Sequence, residues 1–264
     1  MKSKKYEIVQ LVFIALSGLI LLFIIAPLFN MLIKCSPAQL LETAVDTEVQ
    51  RSVWLTLLTS MGATLICSVA GIPLAYLLAR REFPFKQLVN GIIDIPVVIP
   101  HSAAGIALLG IIAPDSLLGQ TAEKLGFSFM GGYAGIMVGM AFVSVPFLIN
   151  AARDGFETVP ERLEKAALNL GASPLRVFFT ISVPLASKSI LSGLILMWGR
   201  GMSEFGAVII IAYHPMITPI LIYERFGAFG LKYARPISVL FIGICLLFFL
   251  LMRLITYRKH NAQG

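Results

Sequence analysis

The chain has 264 residues, of which 58% are hydrophobic and only 13% charged, with a mean hydropathy of +0.87. Soluble domains carry about a quarter charged residues, so this composition excludes a water-soluble globular protein and requires a bilayer. The formal charge of +7 then reports where Lys and Arg sit relative to the membrane and gives no reason to invoke nucleic acid.

Six apolar segments are long enough to span as helices, over about 8–33, 51–79, 87–112, 132–152, 186–212 and 236–256. The first follows a basic start like that of a signal peptide. Its apolar run is about twice an ordinary h-region and no A-x-A site follows, so it reads as a membrane helix. The expected organisation is a first helix and outer loop over 1–50, the main transmembrane domain over 51–257, and a tail over 258–264. Cys35, Cys67 and Cys245 lack metal-ligand spacing and read as small packing residues.

In the third segment, "DIPVVIPHSAAGIALLG" places Pro96 and Pro100 one turn apart, which removes two backbone donors and predicts a kink, either fixed or a moving hinge. Ala103, Ala104 and Gly105 then permit close helix approach. Asp94 is expected to cap this helix near the headgroups. His101, His214 and His260 are scattered among compartments, which argues against a metal or catalytic site.

The longest loop joins the fourth and fifth segments and carries "ERLEKAALNLGASP". Thr158 with Glu161 fits a capping box. Leu163, Ala166, Ala167 and Leu170 form an apolar stripe at i, i+3, i+4 and i+7, opposite Arg162, Glu164, Lys165 and Asn169. Gly171 supplies the helix stop, Ser173-Pro174 restarts a helix, and Pro184 is expected to end that second piece. The stripe either packs on the bundle's own end or serves as a docking knob for another protein.

The fifth segment carries Arg200 and Glu204 four residues apart, so they fall on one helical face. A lone charge in mid-bilayer costs about 3 kcal/mol, so the two either brace the bundle as a pair or line a polar path, with Arg200 meeting an anion. Gly201, Ser203, Gly206 and Ala207 bring neighbouring helices close. The following outer loop holds Arg225, Lys232 and Arg235, read as a solvated face or a docking rim. With the amino terminus inside, fourteen Lys and Arg lie inside and six outside, which predicts both termini in the cytoplasm.

The residues "EKAALNLGASPLRVFFTISVPL" resemble the EAA loop of ABC-transporter permeases of the type I importer class. Ala166, Ala167, Gly171, Ile181 and Pro184 match its spacing, while Lys165 stands for the family's Glu and Val183 for its Leu. "DIPVVIPHSAAGIALLG" and "WGRGMSEFGAVIIIAYHP" are similar to permeases of molybdate/tungstate transport systems, and sulfate permeases share the Ser-Glu-Phe-Gly-Ala core.

The resemblance implies an all-α integral membrane fold of six transmembrane helices with a cytoplasmic coupling-helix hairpin over about 153–185. It also implies a plasma-membrane homodimer that carries an oxyanion. Two ATP-binding subunits would dock on Leu163, Glu164, Ala166, Ala167, Leu170, Gly171, Ser173 and Pro174, and an external substrate-binding protein would deliver the anion. The chain has no G-x-x-x-x-G-K-[ST] loop, so ATP and Mg belong to the partner and no cofactor to this chain. Pro96, Pro100, Arg200, Ser203 and Glu204 are the candidates for the translocation path or its bracing. The rivals are a stand-alone channel or carrier and a membrane enzyme. The first calls for a row of ionisable groups through the membrane, of which this sequence offers few, and the second for a nucleophile-acid-base cluster, of which it offers none.

Overall fold

The computed structural model describes the backbone of residues 2–261 and the side chains of residues 9–252. The side chains of Lys2, Lys4, Lys5, Arg253, Arg258, Lys259 and His260, and residues 262–264 of the expected tail, lie outside the described residues.

The described chain is helical throughout its regular structure: α1 (Lys2–Ile33), α2 (Pro37–Val45), α3 (Thr47–Arg80), α4 (Lys86–Val98), α5 (His101–Ile112), α6 (Leu117–Lys124), α7 (Tyr133–Thr158), α8 (Glu161–Asn169), α9 (Pro174–Val177), a π-helical turn (Phe178–Ser182), α10 (Val183–Met202), α11 (Gly206–Ile211), α12 (Thr218–Phe229) and α13 (Leu231–Asn261). Five helical stretches among the described residues are long and apolar enough to cross a bilayer, and a sixth appears if the bent pair α4–α5 counts as one span.

At the centre is α7, whose apolar stretch is the most buried of the spans and packs against α3 and α10. Small residues make this possible. A Cβ on Gly155 would fall 2.4 Å from Ser189 Cβ, so that position requires glycine for α7 and α10 to touch, and one on Gly193 would fall 3.1 Å from the Leu148 carbonyl oxygen and push the two helices slightly apart. Hydroxyls tie the remaining seams: Ser60 donates to the Trp198 carbonyl at 2.7 Å, and Thr56 Oγ1 accepts from the Thr218 amide at 2.8 Å. In lipid such bonds help where apolar burial gives little drive. At the other edge α1 is exposed along its described side chains and touches α13.

Four expectations about elements are corrected. The third segment is two helices, α4 and α5, bent by 113° across Ile99-Pro100. Pro96 sits within α4, so Pro100 alone marks the turn, holding Ile99 in an extended conformation. The fifth segment ends as a helix at Met202, and α11 is a separate short helix packed on α5. Thr158 caps nothing: α7 runs to it because Ala152, Gly155 and Phe156 are buried, its hydroxyl donates to the Gly155 carbonyl, and Pro160 sets the boundary with α8. Pro184 does not end a helix, since the path from Pro174 to Met202 is continuous. There the π turn, with the Val183 amide reaching back five residues to the Phe178 carbonyl, leads into a proline that has no donor.

The outer loop also differs from the expected solvated face. It folds as α12, with Thr218, Ile220 and Leu221 buried, and the start of α13; Arg225 pairs with Glu48 and Arg235 donates to the Lys34 carbonyl at 3.0 Å, while Lys232 is exposed.

Candidate functional site: the α8 hairpin and the facing helix breaks

The stop and restart around the hairpin follow local chemistry. Gly171 has φ +89° with open space around it, so the backbone conformation rather than crowding selects glycine. Ser173 Oγ accepts from the Arg176 amide at 3.3 Å, and Pro174 occupies the first turn of α9.

The helix before this stop, α8, turns its apolar stripe away from the bundle. Glu164, placed by periodicity on the polar side, is the one buried residue of α8. Leu163, Ala166 and Leu168 are exposed, Ala167 is half-buried, and Leu170 is 89% exposed, so the apolar stripe does not pack on the bundle. The reason is a polar anchor 84 residues away in the chain. Arg80, the last residue of α3, grips the carboxylate with Nε at 3.1 and 3.0 Å from its two oxygens and Nη2 at 2.9 Å from Oε1. The same Nη2 donates to the Val159 carbonyl at 2.9 Å, Ser182 Oγ to Glu164 Oε1 at 2.8 Å, and Tyr76 OH to Oε2 at 3.3 Å. Burial alone would raise the Glu164 carboxyl, but these donors and the Arg80 charge hold it below the ordinary carboxylate value. Sequence reasoning missed Arg80, Tyr76 and Ser182, which looked like an inside charge and two ordinary helix residues.

A second cluster forms where the two broken spans face each other. Glu204 lies in the short break between α10 and α11 and is fully buried. Its Oε1 accepts from the Ala207 amide at 2.9 Å, which caps the start of α11. Its Oε2 stands 3.1 Å from both Arg200 Nη2 and His101 Nδ1 and makes no hydrogen bond to either, so the attraction to the Arg200 guanidinium is ionic. Arg200 Nη2 is within 2.9–3.0 Å of the His101 ring nitrogens, and Arg200 Nη1 reaches the exposed Ser203 hydroxyl at 3.3 Å. The expected Arg200–Glu204 pair therefore forms, although the helix ends between its members.

His101, expected to stand apart, joins this cluster from the first turn of α5. Its backbone presses on Gly206, where a Cβ would lie 2.7 Å from His101 Cβ. No group of three or more His, Cys, Asp or Glu side chains able to hold a metal occurs among the described residues. Asp94 is inside α4 and accepts from Asn150 at 2.7 Å, so it tethers α4 to α7 and caps no helix.

A multi-pass helical bundle with a projecting hairpin of this kind has the fold of the membrane-spanning domains of type I ABC importers. A bacterial alginate ABC transporter, solved in complex with its alginate pentasaccharide-bound periplasmic protein, superposes with a TM-score of 0.72 at 15% identity, covering 93% of each chain. The family model described as the binding-protein-dependent transport system inner membrane component matches residues 71–261, and the chain belongs to that family. Among its relatives is the molybdate/tungstate transport system permease protein WtpB of Pyrococcus abyssi, 42% identical over 91% of this chain and 93% of that protein. The WtpB of Methanocaldococcus jannaschii is 42% identical over 95% and 97%. Membership makes the chain a multi-pass inner-membrane component that works with a binding protein and an ATPase.

Proposed function

We propose that this chain is the permease subunit of an ATP-driven importer of molybdate or tungstate, and that two copies form the translocation path. The observation that carries the reading is the outward stripe of α8. A nine-residue helix that buries one carboxylate and leaves its leucines in solvent is shaped to be covered by a partner. That partner is the ATP-binding subunit, two copies per assembly, which also brings ATP and Mg. The hairpin and both termini lie in the cytoplasm, in line with the charge asymmetry of the loops, and an external binding protein delivers the anion on the other side.

In this reading, closure of the ATPase dimer draws the two α8 helices together and turns the path outward, and hydrolysis returns it. Arg200, Glu204 and His101, with Ser203 at the rim, brace the break at Pro100 against the break at Ser203. Pro96 shapes α4 beside them.

The test is uptake into proteoliposomes holding the whole assembly. ATP-dependent import of molybdate and tungstate, with sulfate competing only weakly, is the expected result. Preferred import of sulfate would move the chain to the sulfate permeases. Transport by the purified chain without ATP would make it a channel or carrier.

A further inference from the structure

We propose that Arg80 and Glu164 are positioning residues that transmit the displacement of α8 to α3, and that this ionic pin keeps import coupled to ATP hydrolysis. The inference rests on reading α8 as the docking helix and adds how its movement reaches the membrane.

Nine residues are too few to hold a helix alone, so α8 takes its orientation from whatever grips it. Its immediate neighbours in space, α9 and the π turn, are also its neighbours in the chain. The link to the distant bundle is the Glu164 carboxylate, with side-chain exposures of 9% for Arg80 and 8% for Glu164. Four elements meet at the Arg80–Glu164 pair: the end of α3 through Arg80 and Tyr76, the residue capping α7 through the Val159 carbonyl on Arg80, α8 itself, and the π turn through Ser182.

Tyr76 is held edge-on between the rings of Phe156, 5.2 Å away, and Phe178, 5.0 Å away, which fixes its hydroxyl. A planar guanidinium in contact with both carboxylate oxygens resists rotation as well as separation, which an ammonium could not do. Beyond Arg80, α3 is one helix of 34 residues, about 50 Å long. Its far end is fastened to α12 through Thr56 and Thr218. A push on α8 therefore arrives at the far end of the span along one continuous helix, whose hydrogen-bond ladder lacks a donor at Pro73.

The experiment uses the complete assembly in proteoliposomes and reads two quantities, ATP hydrolysed per molybdate imported and the stimulation of hydrolysis by the molybdate-loaded binding protein. In Arg80→Met the Ser182 and Tyr76 hydroxyls still hold Glu164 inward and the outward face of α8 in place, so the ATP-binding subunit should co-purify as before while the ratio rises about tenfold or more. Arg80→Lys should fall between, and Tyr76→Phe and Ser182→Ala, each removing one hydrogen bond, should raise the ratio about two- to tenfold. Lys165→Ala breaks only the exposed pair with Glu161 and should change nothing.

An unchanged ratio in Arg80→Met overturns the proposal. If that variant does not accumulate, unchanged ratios in both Tyr76→Phe and Ser182→Ala overturn it. Loss of co-purification in Arg80→Met would make the pair part of the docking surface and also defeat it. Failure of the unaltered chain to bind the ATP-binding subunit would instead defeat the docking role of α8.

Discussion

His101 Nδ1 and Glu204 Oε2 stand 3.1 Å apart and join the two places where the spans are broken, the turn at Pro100 and the gap between α10 and α11. Arg200 completes the contact, and Gly105 lets α5 and α11 close on each other, since a Cβ there would lie 2.9 Å from the Ala207 carbonyl oxygen. The breaks are thus held by this polar cluster and by close backbone approach together.

This arrangement predicts that Arg200→Met, which leaves the buried Glu204 carboxylate without its guanidinium, destabilises the protein by about 3 kcal/mol or more. Arg200→Met/Glu204→Gln should recover much of that loss and of the transport, which thermal unfolding in detergent and uptake assays would measure. Normal stability with lost transport in both variants would instead place Arg200 on the anion's path.

Exposure of the α8 stripe predicts that Leu163→Glu and Leu170→Glu leave the isolated chain as stable as before but weaken its association with the ATP-binding subunit by about 2 kcal/mol or more. Quantitative co-purification checks this. Unaltered binding in both would mean that the stripe faces water in the assembly.

The buried Glu164 carboxyl gives a pH dependence of known sign. Its value is lowered in the folded chain, so its contribution to stability is complete above the ordinary carboxylate value and disappears as pH falls through the lowered one. Relative to Glu164→Gln, the native chain should be more stable by about 2 kcal/mol at neutral pH. That difference should hold to about pH 5 and shrink below about pH 4. A difference that already declines between pH 7 and 6 would contradict the assignment.

Orientation is open to labelling in a chain whose three native cysteines have been replaced. Cysteine at Glu123 or Lys232, both exposed, should react with an impermeant reagent added outside. Cysteine at the exposed Lys165 should react only after permeabilisation. Outside labelling at 165 would invert the topology and remove the docking role of α8.

Composition and the lengths of the apolar runs determined by themselves that this is a helical membrane protein, because a bilayer leaves few other ways to satisfy the backbone. Local signals were equally legible: Gly171 stops a helix and Ser173-Pro174 starts one through bonds that span only a few residues. The pairing of Arg200 with Glu204 was legible too, although the helix that suggested it ends between them.

Tertiary structure decided what periodicity left open. The stripe of α8 reads the same whichever way the helix is turned, and it is Arg80, 84 residues earlier, that with Tyr76 and Ser182 pulls Glu164 inward and sends the leucines out. Likewise two prolines announce a bend, but its 113° angle and the packing of α11 beside α5 appear only in the fold. His101 gained its role from Arg200, 99 residues further along. Contacts of such range leave no periodic trace, because the strength of a buried ion pair depends on distance in space and not on separation along the chain.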